Sequence, residues 1–124
     1  MFDEMRLAAT LQAVRKGPGV LTARDALWMA TREGARALGM EGDIGAVEPG
    51  KRADLILIDR GRPHQQPDPD PWSTLVYATR GTDVSLTMVD GRVLVRDFAM
   101  THQDVAAITA DARTAAKALV ARLR

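Results

Sequence analysis

Reactive chemistry in this chain would have to come from two histidines, a scatter of aspartates and a few hydroxyls. His64 sits in a proline-crowded stretch, and His102 lies at the head of an alanine-rich run. Neither belongs to an H-x-H or H-E-x-x-H pattern, so spacing makes a metal ligand of neither. Each reads as a local hydrogen-bonding residue, His64 pinning its loop and His102 standing at a helix start. Asp68 and Asp70 alternate with Pro67, Pro69 and Pro71. Calcium wants roughly six to eight oxygens and a loop able to wrap around it. Proline restricts that wrapping and leaves a solvated loop with Asx-type turns. Asp54 and Asp59 bracket an apolar run, and Asp54 follows Lys51-Arg52 and could pair with either. Ser73 and Ser85 lack a G-x-S-x-G setting, and no histidine is spaced to serve them. Gly42, Gly45 and Gly50 make neither a dinucleotide fingerprint nor a phosphate loop. The residues themselves nominate no catalytic, cofactor-binding or metal-ligating side chain. Arg6, beside Glu4, alone stays open, on account of the segment it belongs to.

The frame for these residues is a chain of 124, the size of one ordinary domain. Hydrophobic residues make up 46%, so a packed core rather than disorder is expected, and with aromatics at only 4% that core must be aliphatic. Seventeen basic against sixteen acidic residues leave a net charge of +1 without like-charged blocks, which favours neither nucleic acid nor an anionic membrane. Cysteine is absent, which removes disulfides and thiolate metal sites and fits a cytoplasmic setting. The N-terminal Met1-Phe2-Asp3-Glu4-Met5-Arg6 lacks the apolar run of a signal peptide, and no stretch is long enough to cross a bilayer.

Periodicity predicts a helix over 2–16, its apolar side on Leu7, Leu11 and Val14 beside Met5, Ala8 and Ala9, stopped at Gly17-Pro18-Gly19. Thr22-Ala23-Arg24-Asp25 has capping-box spacing and opens a second helix, with Ala26, Ala30, Gly34 and Ala37 on one small-residue stripe and Gly39 just past its end. Glu48-Pro49-Gly50-Lys51 is a turn, and Leu55 to Ile58, apolar without alternation, is a strand covered on both faces. A loop over 60–73 and a helical turn at 75–78 lead to a hairpin, 84–89 with 92–96, turned at Asp90-Gly91. Thr101-His102-Gln103-Asp104 again has capping-box spacing, and Val105, Ile108, Ala112, Ala115, Leu119 and Leu123 line the last helix, with Arg122 and Arg124 at its end.

Six segments stand in a telling order: Phe2-Asp3-Glu4-Met5-Arg6-Leu7-Ala8; Ala30-Thr31-Arg32-Glu33-Gly34-Ala35-Arg36-Ala37-Leu38-Gly39; Ile44 through Leu55; Asp70-Pro71; Leu75-Val76-Tyr77-Ala78; and Val89-Asp90-Gly91-Arg92-Val93. Together they resemble the C-terminal part of the metal-dependent amidohydrolases. The branch is the one that deaminates or dechlorinates purines, pterins, triazines and related heterocycles. The resemblance implies an α+β remnant: the end of a (β/α)8 barrel over 1–40, the C-terminal portion of a small composite β-sandwich domain over 41–100, and a closing helix over 101–124. It also implies zinc or iron in the complete enzyme, held by an H-x-H pair, two further histidines and an aspartate. None of these ligands maps onto this sequence, so the chain alone is expected to carry no metal and no activity. Glu4 and Arg6 would lie near the pocket mouth or make an internal helix contact. Self-association, or union with an N-terminal amidohydrolase portion, is expected to cover faces that evolved against other strands. A non-catalytic interaction module and one half of a split enzyme are the competing expectations.

Overall fold

The computed structural model describes residues 1–122. Helix α1 spans Phe2–Lys16, with Asp3 and Glu4 in its first turn and Arg15 and Lys16 in its last, each complementing the helix dipole. It ends where Gly17 adopts φ 100. The buried side is Met5 and Ala9, whereas Leu7, Leu11 and Val14 are 58%, 50% and 80% exposed. The periodic stripe predicted as core therefore faces outward. Periodicity marks an apolar face but not the partner that covers it.

Helix α2 (Ala23–Trp28) starts on the anticipated capping box: Asp25 N–H donates to Thr22 Oγ1 at 3.2 Å, and Thr22 N–H donates to Asp25 Oδ2 at 3.0 Å. It runs through a π-helical turn (Met29–Glu33) into α3 (Gly34–Ala37). The wider turn adds a residue and rotates the helical residues beyond it. The buried alanine after it is consequently Ala35 at 3% exposure, while Ala37, predicted on the stripe, is exposed. Gly39 closes the helix at φ 66, with Met40 N–H on Ala35 O (2.9 Å) and Gly39 N–H on Arg36 O (3.0 Å), the paired bonds of a Schellman motif. The next loop folds back on this helix at Gly45, whose φ is 91. A Cβ there would lie 2.7 Å from Ala35 Cβ and 3.2 Å from Thr31 O.

Met5, Ala9, Ala23, Ala26 and Val76 form the core, with Phe2, Leu27 and Ala30 against it. Val76 comes from the π-helical turn Thr74–Ala78 that continues α4 (Pro71–Ser73). Asp70 caps α4, accepting from Trp72 N–H at 3.3 Å and Ser73 N–H at 3.1 Å.

The second layer is one antiparallel sheet in the order β1-β2-β3-β4: Leu55–Ile58, Val84–Val89, Arg92–Arg96 and Ala99–Met100. Leu55 faces Met88 and Leu57 faces Leu86 across the first pair; Thr87 faces Val95 across the second. Asp90 (φ 51) and Gly91 (φ 77) make the anticipated turn between β2 and β3. A second tight turn, Asp97 (φ 50) and Phe98 (φ 66), leads into β4. The sequence carries no signal for it, because a phenylalanine with positive φ is an outlier; here the Arg62 guanidinium stacks 5.0 Å from its ring centre. The cover predicted on both faces of β1 is not found: Ile56 and Leu57 are 44% and 54% exposed, and among the described residues no strand pairs with the outer edge of β1.

Helix α5 (Val105–Ala121) begins later than its capping-box spacing indicates. Asp104 is the cap, accepting Ala107 N–H at 3.0 Å, while Thr101 Oγ1 donates to Val93 O (2.8 Å) and ties the linker to β3. His102 therefore precedes the helix rather than starting it. α5 buries no residue. Leu123 and Arg124 of the expected apolar face and terminus lie outside the described residues.

Candidate functional site

The one place among the described residues where polar side chains gather out of water is a knot around Asp83, which is 2% exposed. It closes a short 3₁₀ turn (Gly81–Asp83) ahead of β2, so the turn that starts the strand also aims the carboxylate inward. A second 3₁₀ turn, Pro63–Gln65, is pre-set by proline at its first position and delivers His64 and Gln65 from the opposite side. His64 Nε2 lies 2.9 Å from Asp83 Oδ2. Arg80 N–H donates to the same oxygen at 2.8 Å, and Gln65 Nε2 approaches it at 3.5 Å. Gln65 Nε2 also reaches Thr79 Oγ1 at 3.3 Å, and that hydroxyl donates to Thr74 O at 3.1 Å. From the helical layer, Arg6 Nη2 donates to Thr79 O at 2.9 Å and Nη1 pairs with Asp3 at 3.1 Å.

Burial pushes the Asp83 carboxyl up. The His64 hydrogen bond, the Arg80 N–H and the charges of His64 and Arg62 outweigh burial and hold it below the ordinary aspartate value. A carboxyl that is more acidic folded than unfolded stabilises the fold above its unfolded pKa. That contribution disappears as pH falls through the folded pKa. The expected outcome is that Asp83→Asn flattens the acid limb of a stability–pH curve below about pH 4. At neutral pH it should cost about 1–3 kcal/mol, from donors left facing the wrong amide. Urea titrations at stepped pH read both effects, and an unchanged acid limb would refute the assignment.

The aspartates of the loops and turns nearby are spent locally. Asp68 accepts from Thr74 Oγ1 at 2.6 Å and pairs with Arg60; the Thr74 hydrogen bond, with the Arg60 hydrogen bond and charge, outweighs desolvation and holds its pKa below the ordinary aspartate value. Asp70 is likewise depressed by the Ser73 hydroxyl and N–H of its cap. Asp59 accepts Gly61 N–H at 2.9 Å and pairs with Arg62 at 3.0 Å. Asp54 accepts Asp90 N–H at 2.5 Å and so holds the β2–β3 turn; Arg52, a pairing expected for Asp54, goes to Asp90 at 3.1 Å instead. Lys51 turns to the carbonyls of Glu41 and Gly42. Ser73 Oγ donates to Asp70 at 2.5 Å and Ser85 Oγ to Leu57 O at 3.3 Å, so neither meets a histidine.

Glu4 and Arg6 part company. Arg6 makes the internal contact to Thr79, whereas Glu4 pairs with the N-terminal amine at the rim of an open apolar groove of ≈ 500 Å³. Met1, Met5, Ala8, Ala26 and Met29 line that groove. Such a surface can accept an apolar neighbour, and its one carboxylate, Glu4, is taken up by the N-terminal amine.

His64 pins its loop, as its position predicts, but spacing does not reveal its partner Asp83, nor Gln65 and Thr79. Asp83 three residues after Arg80 is the one available signal, a turn-closing acid; a glutamine buried by tertiary packing leaves none.

Among the described residues no three His, Cys, Asp or Glu side chains converge on a point. Zinc takes three or four such ligands. The best candidate pair, His64 and Asp83, already spends the shared carboxylate oxygen on the Arg80 N–H and on Gln65. These residues do not fit a zinc site. None of the described helices is long and apolar enough to cross a membrane.

Residues 1–94 match the model of the Amidohydrolase family. A 5-methylthioadenosine/S-adenosylhomocysteine deaminase of Symbiobacterium thermophilum is 48% identical over 95% of this chain and 27% of its own length. A 5′-deoxyadenosine deaminase of Methanosarcina acetivorans is 45% identical over 98% of this chain and 28% of its own length. Among solved structures, an adenosine deaminase from Xanthomonas campestris with bound zinc superposes with a TM-score of 0.88 at 37% identity, over 92% of this chain and 26% of that one. A zinc complex of atrazine chlorohydrolase from Arthrobacter aurescens gives 0.83 at 29% identity, over 92% and 26%. The chain thus spans about a quarter of the length of the relatives it matches.

Proposed function

Since the chain belongs to the amidohydrolase family, we propose that it serves as the C-terminal portion of a metal-dependent purine-nucleoside deaminase, a cytoplasmic enzyme that removes the 6-amino group of an adenine nucleoside by hydrolysis. The observation that carries this reading is the likeness, nearly end to end, to adenosine-type deaminases that are about four times as long. In the complete enzyme a metal would supply an activated water, held by ligands outside this chain. What these residues do is support.

The proposed division has three parts. Residues 1–40 contribute barrel-associated helices, residues 41–100 complete a composite β-domain whose remaining strands pair along the open edge of β1, and the segment 101–124 supplies the closing helix α5. The apolar groove beside Met5 and Met29, the outward Leu7, Leu11 and Val14, and the half-exposed Ile56 and Leu57 support this, since such surfaces are normally covered. The knot around Asp83 then acts as a clasp, joining the helical layer through Arg6 to the start of β2.

The test is complementation. This chain is mixed or co-expressed with the preceding segment of the Symbiobacterium thermophilum relative, zinc is supplied, and ammonia release from adenosine, 5′-deoxyadenosine and S-adenosylhomocysteine is monitored. Association with recovered turnover supports the reading; failure of the two pieces to associate would overturn it.

The same exposed faces lead to an expectation for the isolated chain. Its sedimentation coefficient should rise with concentration as copies cover each other's apolar surface. A single monomeric boundary at high concentration would contradict the claim that these faces require cover.

A further inference from the structure

No further inference is drawn: the strongest candidate, the exposed apolar flank of α5 formed by Val105, Ile108, Leu119 and Val120, carries nothing because nothing in the structure shows what covers it.

Discussion

Incubated with adenosine or 5′-deoxyadenosine, the purified chain on its own is expected to release no ammonia above the uncatalysed rate. Amidohydrolytic deamination needs a nucleophilic water at neutral pH and a group to move its proton. Enzymes typically supply at least about 10⁶-fold over the spontaneous reaction, so the difference between presence and absence of that machinery is not subtle. Here the buried candidate base and the loop aspartates are committed elsewhere. Asp83 is buried and clasped by His64, Arg80 N–H and Gln65, while Asp59, Asp68 and Asp70 hold turns and caps. No triad of metal-binding side chains forms among the described residues. Loss of the adenine absorbance band together with ammonia appearance would be recorded with and without added zinc. Turnover by the unaided chain, abolished by a chelator, would sink this prediction.

Gly45→Val is expected to be the most damaging single substitution, costing about 3–5 kcal/mol and leaving little folded protein. Two effects add. A β-branched residue at φ 91 is held where L side chains seldom go, and the new Cβ meets Ala35 Cβ at 2.7 Å, Thr31 O at 3.2 Å and Arg32 Cα at 3.3 Å. Backbone on two of those three contacts means that no rotamer change relieves them. Two controls separate the causes. Gly50→Ala, at φ 88 with nothing within 4 Å, isolates the backbone strain and should cost about 1–2 kcal/mol. Gly42→Ala, in open space without positive φ, should be near neutral. Combining Gly45→Ala with Ala35→Gly should recover part of the loss as a favourable coupling. Thermal melts of these variants read the series, and equal melting temperatures for Gly45→Val and Gly42→Ala would contradict the close approach.

Legibility in the sequence extends to whatever is decided locally. The Thr22–Asp25 box, the Asp90-Gly91 turn and the Gly39 stop depend on a few neighbouring residues, and each occurs where the pattern puts it. Errors fall where distant packing rules. Leu7, Leu11 and Val14 keep helical spacing yet face outward, because α1 meets α2 and Val76 through its smaller side. The π-helical turn at Met29–Glu33 adds one residue, so the inward position that the pattern puts at Gly34 falls on Ala35, and no composition signals such an insertion. Thr101 looks like a cap but finds the carbonyls of β3, which hands the role to Asp104. The polar knot is half legible: His64 has a loop to hold, while Asp83, Gln65 and Thr79 are brought together only by the fold.

The Arg6–Thr79 hydrogen bond and the burial of Met5 beside Val76 also set a timetable. Contacts this remote in sequence form late and slowly. During synthesis the side of α1 that meets Val76 and Thr79 stays uncovered until the segment through Thr79 has left the ribosome. In that interval a chaperone or a neighbouring nascent chain is its nearest source of shelter.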